Sequence, residues 1–274
     1  MARPLRLEIA GAIYHLTSRG NARQKVFLSD ADRELFLKTL SWVVNRYGWI
    51  CHAYCLMANH YHLLIETPKA NLSIGMRQLN GIYTQSFNRR HKRVGHLFQG
   101  RFKAILVERE SHLLELCRYI VLNPLRVKGS CRSQTWKWSS YRSTAGLAAV
   151  PGFLRTDWIL AQFSKKRAQA QKQYREFVRD GVASRPWEEL KGQIYLGSEA
   201  FIEKHAAPNK ALKEIPRVQL RAAKPSLVRI LAKSGDRAIA DAYDHGYRLH
   251  EIAAHLGVHY ATVSRRLKQI EQAT

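Results

Sequence analysis

The chain has 274 residues, 46% of them hydrophobic, and sets 45 Lys+Arg against 21 Asp+Glu for a formal charge of +24. That apolar fraction supports packed cores and excludes general disorder, and a pI near 10.3 predicts attraction to a polyanion, nucleic acid first. No apolar run reaches the roughly 20 residues that cross a bilayer, no basic amphipathic anchor is present, and residues 1–16 lack a signal-peptide layout, so no membrane partner is expected.

Residues 13–19 (IYHLTSR) read as a first strand, broken by Gly20-Asn21. Ser29, Asp30 and Asp32 open a helix, with a capping oxygen first and acids at the positive end of its dipole. Leu35, Phe36, Leu40, Val43 and Val44 give that helix an apolar face. Residues 49–57 form a second strand, and Ala58-Asn59 joins it as a hairpin to the alternating segment 60–66. A second helix over 72–90 and a last strand over 104–107 follow. Ser111 caps a further helix running to about Leu122, where Pro124 stops it. The order strand, helix, strand, strand, helix, strand, helix predicts the α+β class, with a ferredoxin-like antiparallel sheet and covering helices.

Past Gly146 the pattern changes. Residues 165–179 are a charged helical stretch, 198–205 form another helix, and the basic stretch 217–224 before Pro225 reads as a linker. Residues 238–272 are a separate all-helical unit. The expected segments are 1–145 with the sheet, 146–225 as a helical connection, and 226–274 as an all-α module. The cysteines at 51, 55, 117 and 131 make no C-x-x-C pair and read as reduced thiols of a cytoplasmic protein.

The chemistry centres on Asn59-His60-Tyr61-His62-Leu63-Leu64-Ile65-Glu66. Strand side chains alternate, so His60 and His62 share one face while Tyr61, Leu63 and Ile65 take the other. Alone, the pair reads equally as a metal clip or as two sheet histidines. On the helix after Ser111, Glu115, Tyr119 and Asn123 form a stripe at four-residue spacing, beside Leu113, Leu116 and Ile120, which can pack on the sheet. A cation held by two imidazoles and a carboxamide oxygen can polarise a phosphodiester. A phenol in line with the scissile bond can then attack, storing the bond energy as phosphotyrosine. Hydrolysis needs no such tyrosine. Tyr83, between Leu79 and Phe87 on helix 72–90, is the rival nucleophile, although its stripe looks like packing. His15, His52, His91, His96 and His112 are scattered and read as structural or DNA-facing.

His60-Tyr61-His62 matches the HUH motif (His, bulky hydrophobic, His) of single-tyrosine transposases and rolling-circle nickases. With the segments GxYTxxFN (81–88), GHLFQGRFK (95–103) and YIxxNP (119–124), residues 1–145 resemble the REP-associated tyrosine transposases. The resemblance implies a domain that cuts and rejoins single-stranded DNA beside a hairpin, using Mg²⁺ or Mn²⁺. It makes Tyr119 the nucleophile, His60 and His62 metal ligands, and Asn123 the third ligand, where relatives often carry the longer glutamine.

Two segments read as DNA contacts. Arg89, Arg90, Lys92, Arg93, Arg101 and Lys103 form a basic run interrupted by Phe98 and Phe102, suited to phosphates and unstacked bases. Residues 248–268 have helix-turn-helix spacing, with Ile252, Ala253, Leu256, Val258, Val263 and Leu267 as core and Gly257 at the turn. A recognition helix from Tyr260 to about Ile270 offers Tyr260, Thr262, Ser264 and Arg265 to bases and Arg266 and Lys268 to phosphates; the same helices also suit dimer contact. The expected partners are single-stranded hairpin DNA and duplex DNA, with the protein a nucleoid-associated monomer or homodimer. A non-catalytic DNA-binding regulator with the same fold is the second reading. A third, an RNA-binding protein on an RRM-like sheet, lacks the RNP aromatic motifs.

Overall fold

A computed structural model of the chain describes residues 7–126, 136–181, 186–205, 226–232, 235–245 and 247–272. The chain divides between Leu190 and Lys191 into two compact units. The linker read at 217–224, Pro225 and Cys131 lie outside the described residues, as does the side chain of Lys268.

The first unit is built on β1 (Ala12–Arg19), α1 (Asp30–Tyr47), β2 (Ile50–Met57), β3 (His60–Thr67), α2 (Leu72–Arg90) and β4 (Lys103–Val107). These strands lie in the order β2-β3-β1-β4 and every pairing is antiparallel. This is the ferredoxin-like layout expected from the element order. The start of α1 is determined locally. Ser29 Oγ accepts from the Asp32 amide, and Asp32 Oδ2 accepts from the amides of Leu28 and Ser29 at 2.9 Å. The fully buried Asp32 also takes a hydrogen bond from His91 Nε2 at 2.9 Å on its other oxygen. The cap of α1 is thereby tied to the end of α2.

Alternation along the strands separates two chemistries. Tyr61, Leu63 and Ile65 are fully buried, and Phe36 of α1 packs on Tyr61 at 4.7 Å between ring centroids. The other face carries His15, His60, His62 and Glu66, and α3 (Arg109–Val121) packs against β2 and β3 there. Leu113, Leu116 and Ile120 are fully buried, as their spacing predicted.

Two expectations about α3 need correction. It begins two residues before Ser111, whose hydroxyl donates to Glu108 at 2.7 Å instead of capping the helix. Pro124 does not end helical structure either. The chain leaves α3 at Leu122 and resumes as α4 (Asn123–Arg126). Proline in a first turn gives up an amide that has no intrahelical partner there.

The β2 edge is covered. Leu56 N donates to Trp138 O, Ser140 N to Tyr54 O and Arg155 N to Cys51 O, at 2.8–3.0 Å. This satisfies backbone groups that would otherwise invite another chain. The unit continues through α5 (Tyr141–Thr144), α6 (Asp157–Ala161), α7 (Arg167–Asp180) and a 3-10 turn at Pro186–Glu189.

The second unit contains α8 (Glu199–His205), α9 (Leu227–Leu231), α10 (Asp236–Asp244), α11 (Leu249–Leu256) and α12 (Tyr260–Gln272). Ile230, Ile239, Ala242, Ile252, Ala253, Val263 and Leu267 form its core. Gly257 sits at φ 66° between α11 and α12, a backbone state that glycine adopts without steric penalty. Val258, expected in the core, is 36% exposed because it falls in this turn. Among the described residues no helix is long and apolar enough to cross a membrane.

Candidate active site on the histidine face

The register of β3 between its neighbours places the histidine pair. His60 lies opposite Arg19 of β1 and Met57 of β2, and His62 opposite Thr17 and Cys55. Their rings are 4.9 Å apart. Tyr119 approaches from α3, its ring 6.3 Å from that of His62 and nearly perpendicular to it. Asn123 lies one turn further on. Its Nδ2 donates to the carbonyls of Tyr119 at 3.1 Å and Ile120 at 3.4 Å. Both bonds use the amide nitrogen, so the carboxamide oxygen is the atom a ligand can use.

Two side chains that composition and spacing did not single out complete the arrangement. His15 Nε2 is 2.9 Å from His62 Nδ1. Trp187, from the 3-10 turn, packs edge-on against Tyr119 at 4.8 Å and against His15 at 5.0 Å. Four rings thus form a closed circuit of His62, Tyr119, Trp187 and His15. The outer side of α3 is held as well. Arg118 pairs with Glu115, donates to Phe177 O at 3.2 Å and lies 4.1 Å over the Phe177 ring. A Cβ on Gly181 would come within 2.1 Å of the Arg118 side chain, so the end of α7 approaches this closely only with glycine.

Electrostatics keep the imidazoles neutral. Burial, with Arg19 adding to it, lowers the His60 pKa to about 4. Burial lowers His15 to about 3. His62 is driven well below its ordinary value by burial first and then by its two histidine neighbours. A neutral imidazole is the form that binds a cation. His60 Nδ1 faces Asn59 Oδ1 at 2.7 Å. An oxygen acceptor requires the proton on Nδ1, which puts the lone pair on Nε2. His62 Nε2 is buried with no hydrogen-bond partner. Among the described residues no three His, Cys, Asp or Glu side chains are grouped to hold a metal, so this pair needs a third ligand of another type. Within those limits the donor set fits a divalent cation.

Residues 8–123 match the family model described as Transposase IS200 like. The match takes in β1 to β4, His60, His62, Tyr119 and Asn123, and ends where α4 begins. A search of curated proteins found no match. A solved structure of a REP-associated tyrosine transposase bound to a REP hairpin is similar at 17% identity and a TM-score of 0.46, over 58% of this chain and 91% of the other.

Burial separates the two tyrosines. Tyr83 is fully buried and donates to Val26 O at 2.6 Å, while Tyr119 is partly exposed. The remaining histidines are mostly structural: His52 bonds Glu66 at 2.9 Å and His91 bonds Asp32. His96 is exposed. In the basic run Arg89, Lys92, Arg101 and Lys103 are exposed. Arg90 also pairs with Asp32 at 3.5 Å, and Arg93 donates to Gln24 at 2.9 Å. Phe98 is no stacking platform, because it is buried against Tyr61 and Tyr83. Phe102 instead lines a cleft of about 550 Å³ with Ser73, Arg77, Asn80 and Arg101.

Proposed function

We propose that this protein cuts and rejoins single-stranded DNA beside a hairpin, with Tyr119 as nucleophile and His60, His62 and Asn123 as ligands of Mg²⁺ or Mn²⁺. The observation that carries the reading is the Tyr119 ring 6.3 Å from His62, whose Nε2 is buried and unbonded. A cation bound there supplies charge neutralisation to the scissile phosphate. Tyr119 Oη forms the new O–P bond, the P–O3′ bond breaks, the phenol proton passes to water, and the leaving 3′-oxygen is protonated. Rejoining reverses these changes with an incoming 3′-hydroxyl and consumes no nucleotide. Trp187 limits the motion of the phenol, so the nucleophile is held before the substrate arrives.

Single-stranded DNA follows the exposed Arg89, Lys92, Arg101 and Lys103, with Arg90 and Arg93 beside them. The second unit acts as a helix-turn-helix module on duplex DNA, with α12 as recognition helix. Tyr260 is 56% exposed, and Arg265 and Arg266 are exposed beside the partly buried Thr262 and Ser264. The site of action is the cytoplasm, at the nucleoid. The test is incubation of the full chain with Mn²⁺ and a pool of hairpin oligonucleotides carrying randomised single-stranded flanks, followed by peptide mass spectrometry. DNA attached to Tyr119, and lost with EDTA, is the expected result. Tight hairpin binding with no covalent product would leave a DNA-binding regulator in its place.

A further inference from the structure

His15 is a buried imidazole on β1 whose one hydrogen bond among the described residues is to His62. Its Nε2 lies 2.9 Å from His62 Nδ1, while its own Nδ1 is buried without a partner. The two ring planes differ by 11° and the centroids are 5.1 Å apart. That separation is close to the sum of the 2.9 Å bond and the two centroid-to-nitrogen radii, the limit for rings meeting edge to edge. The nitrogens therefore point at each other within the ring planes, where the lone pair and the proton lie. For packing alone this residue is a poor choice. A leucine would fill space against Trp187 and leave no orphaned polar nitrogen in the interior.

We infer that His15 is a positioning residue for the metal ligand His62. His15 Nε2 accepts the His62 Nδ1 proton, which leaves the His62 lone pair on the unbonded Nε2 and fixes the angle of that ring. The opposite tautomer has a proton on His62 Nε2 and cannot bind a cation through that nitrogen. Ligating imidazoles commonly have their second nitrogen held in this way, more often by a carboxylate or carbonyl. Here a second imidazole does so, and the pairing of β1 with β3 sets its height. Trp187 packs on the His15 ring at 5.0 Å and limits its rotation. His15 touches neither the proposed cation nor the substrate. The inference rests on the metal reading above, and the experiment separates the two.

Mn²⁺ affinity is measured on the full chain by calorimetry and Mn²⁺ electron paramagnetic resonance, without DNA, for wild type, His62→Ala, His15→Leu and His15→Gln. Replacing His15 by Leu removes the acceptor and should weaken Mn²⁺ binding about 10- to 100-fold, with the thermal midpoint unchanged or raised. Gln carries an amide oxygen at the reach of Nε2 and should recover most of the affinity. In nicking assays His15→Leu should raise the half-saturating Mn²⁺ concentration far more than it lowers the rate at saturation. If His62→Ala binds Mn²⁺ as wild type does, the metal reading fails and this inference fails with it. If His62→Ala is impaired while His15→Leu matches wild type, His15 alone is misassigned. Equal weakness of the folded Leu and Gln variants would overturn the acceptor role and leave only a steric one.

Discussion

Phenylalanine at position 83 or 119 removes the same single oxygen, yet the structure predicts opposite consequences. Tyr83 is fully buried between Phe27 and Phe36, and its hydroxyl is 2.6 Å from Val26 O. Burial pushes its pKa far up, with Asp32 adding to the effect, so the phenol stays protonated. Loss of that donor leaves a buried carbonyl unsatisfied, which costs about 1–3 kcal/mol. In a unit of this size each kcal/mol lowers the melting temperature by about 2–4 °C, so Tyr83→Phe should melt roughly 2–12 °C early. Its covalent DNA product should form at the wild-type rate. Tyr119 is partly exposed, so Tyr119→Phe should change stability by less than about 1 kcal/mol. Its covalent product should disappear entirely, because no oxygen remains to attack phosphorus. The assays are a thermal melt and a denaturing gel that retains the protein–DNA adduct. An adduct that persists in Tyr119→Phe, or one lost from folded Tyr83→Phe, would refute the assignment.

Three further outcomes follow from particular contacts. An ideal Cβ on Gly75 lies 2.1 Å from the Trp49 ring, which Asn71 holds through Nε1 at 2.8 Å. Gly75→Ala should therefore destabilise by about 1–3 kcal/mol in a urea titration with little effect on DNA affinity, and a neutral variant would contradict that packing. Unfolded His15, His60 and His62 titrate near their ordinary value of about 6.5, whereas burial holds folded His60 at about 4 and His15 at about 3. Between about pH 6.5 and 4 the unfolded chain binds more protons, so metal-free protein should lose stability as pH falls through that window; a urea midpoint that does not move between pH 7 and 5 would count against buried neutral histidines. Replacing Arg265 and Arg266 together by Ala should flatten the salt dependence of duplex binding by about one unit of log–log slope per lost phosphate contact, and an unchanged slope would assign α12 another role.

Much of the site was legible because its signals are local. Alternation along 60–66 put both histidines on one face, four-residue spacing put Tyr119 and Asn123 on one stripe, and the Ser29-x-x-Asp32 cap marked the start of α1. Each depends only on side-chain direction within one element. Errors arose where environment outweighed local pattern. Phe98 looked like an exposed aromatic in a basic loop, but Tyr61 and Tyr83 enclose it. Val258 continued an apolar pattern, but the turn after α11 left it at the surface. The partners of the site were legible least of all. His15 meets His62 only because β1 pairs with β3 in one register, and a slip of one residue would put it on the opposite face. Trp187 reaches Tyr119 only because the chain after α7 returns over α3. Period and capping act over a few residues and can be read along the chain. Strand register and the packing of distant segments are collective, and tertiary structure alone decided which residues hold Tyr119 and His62 in place.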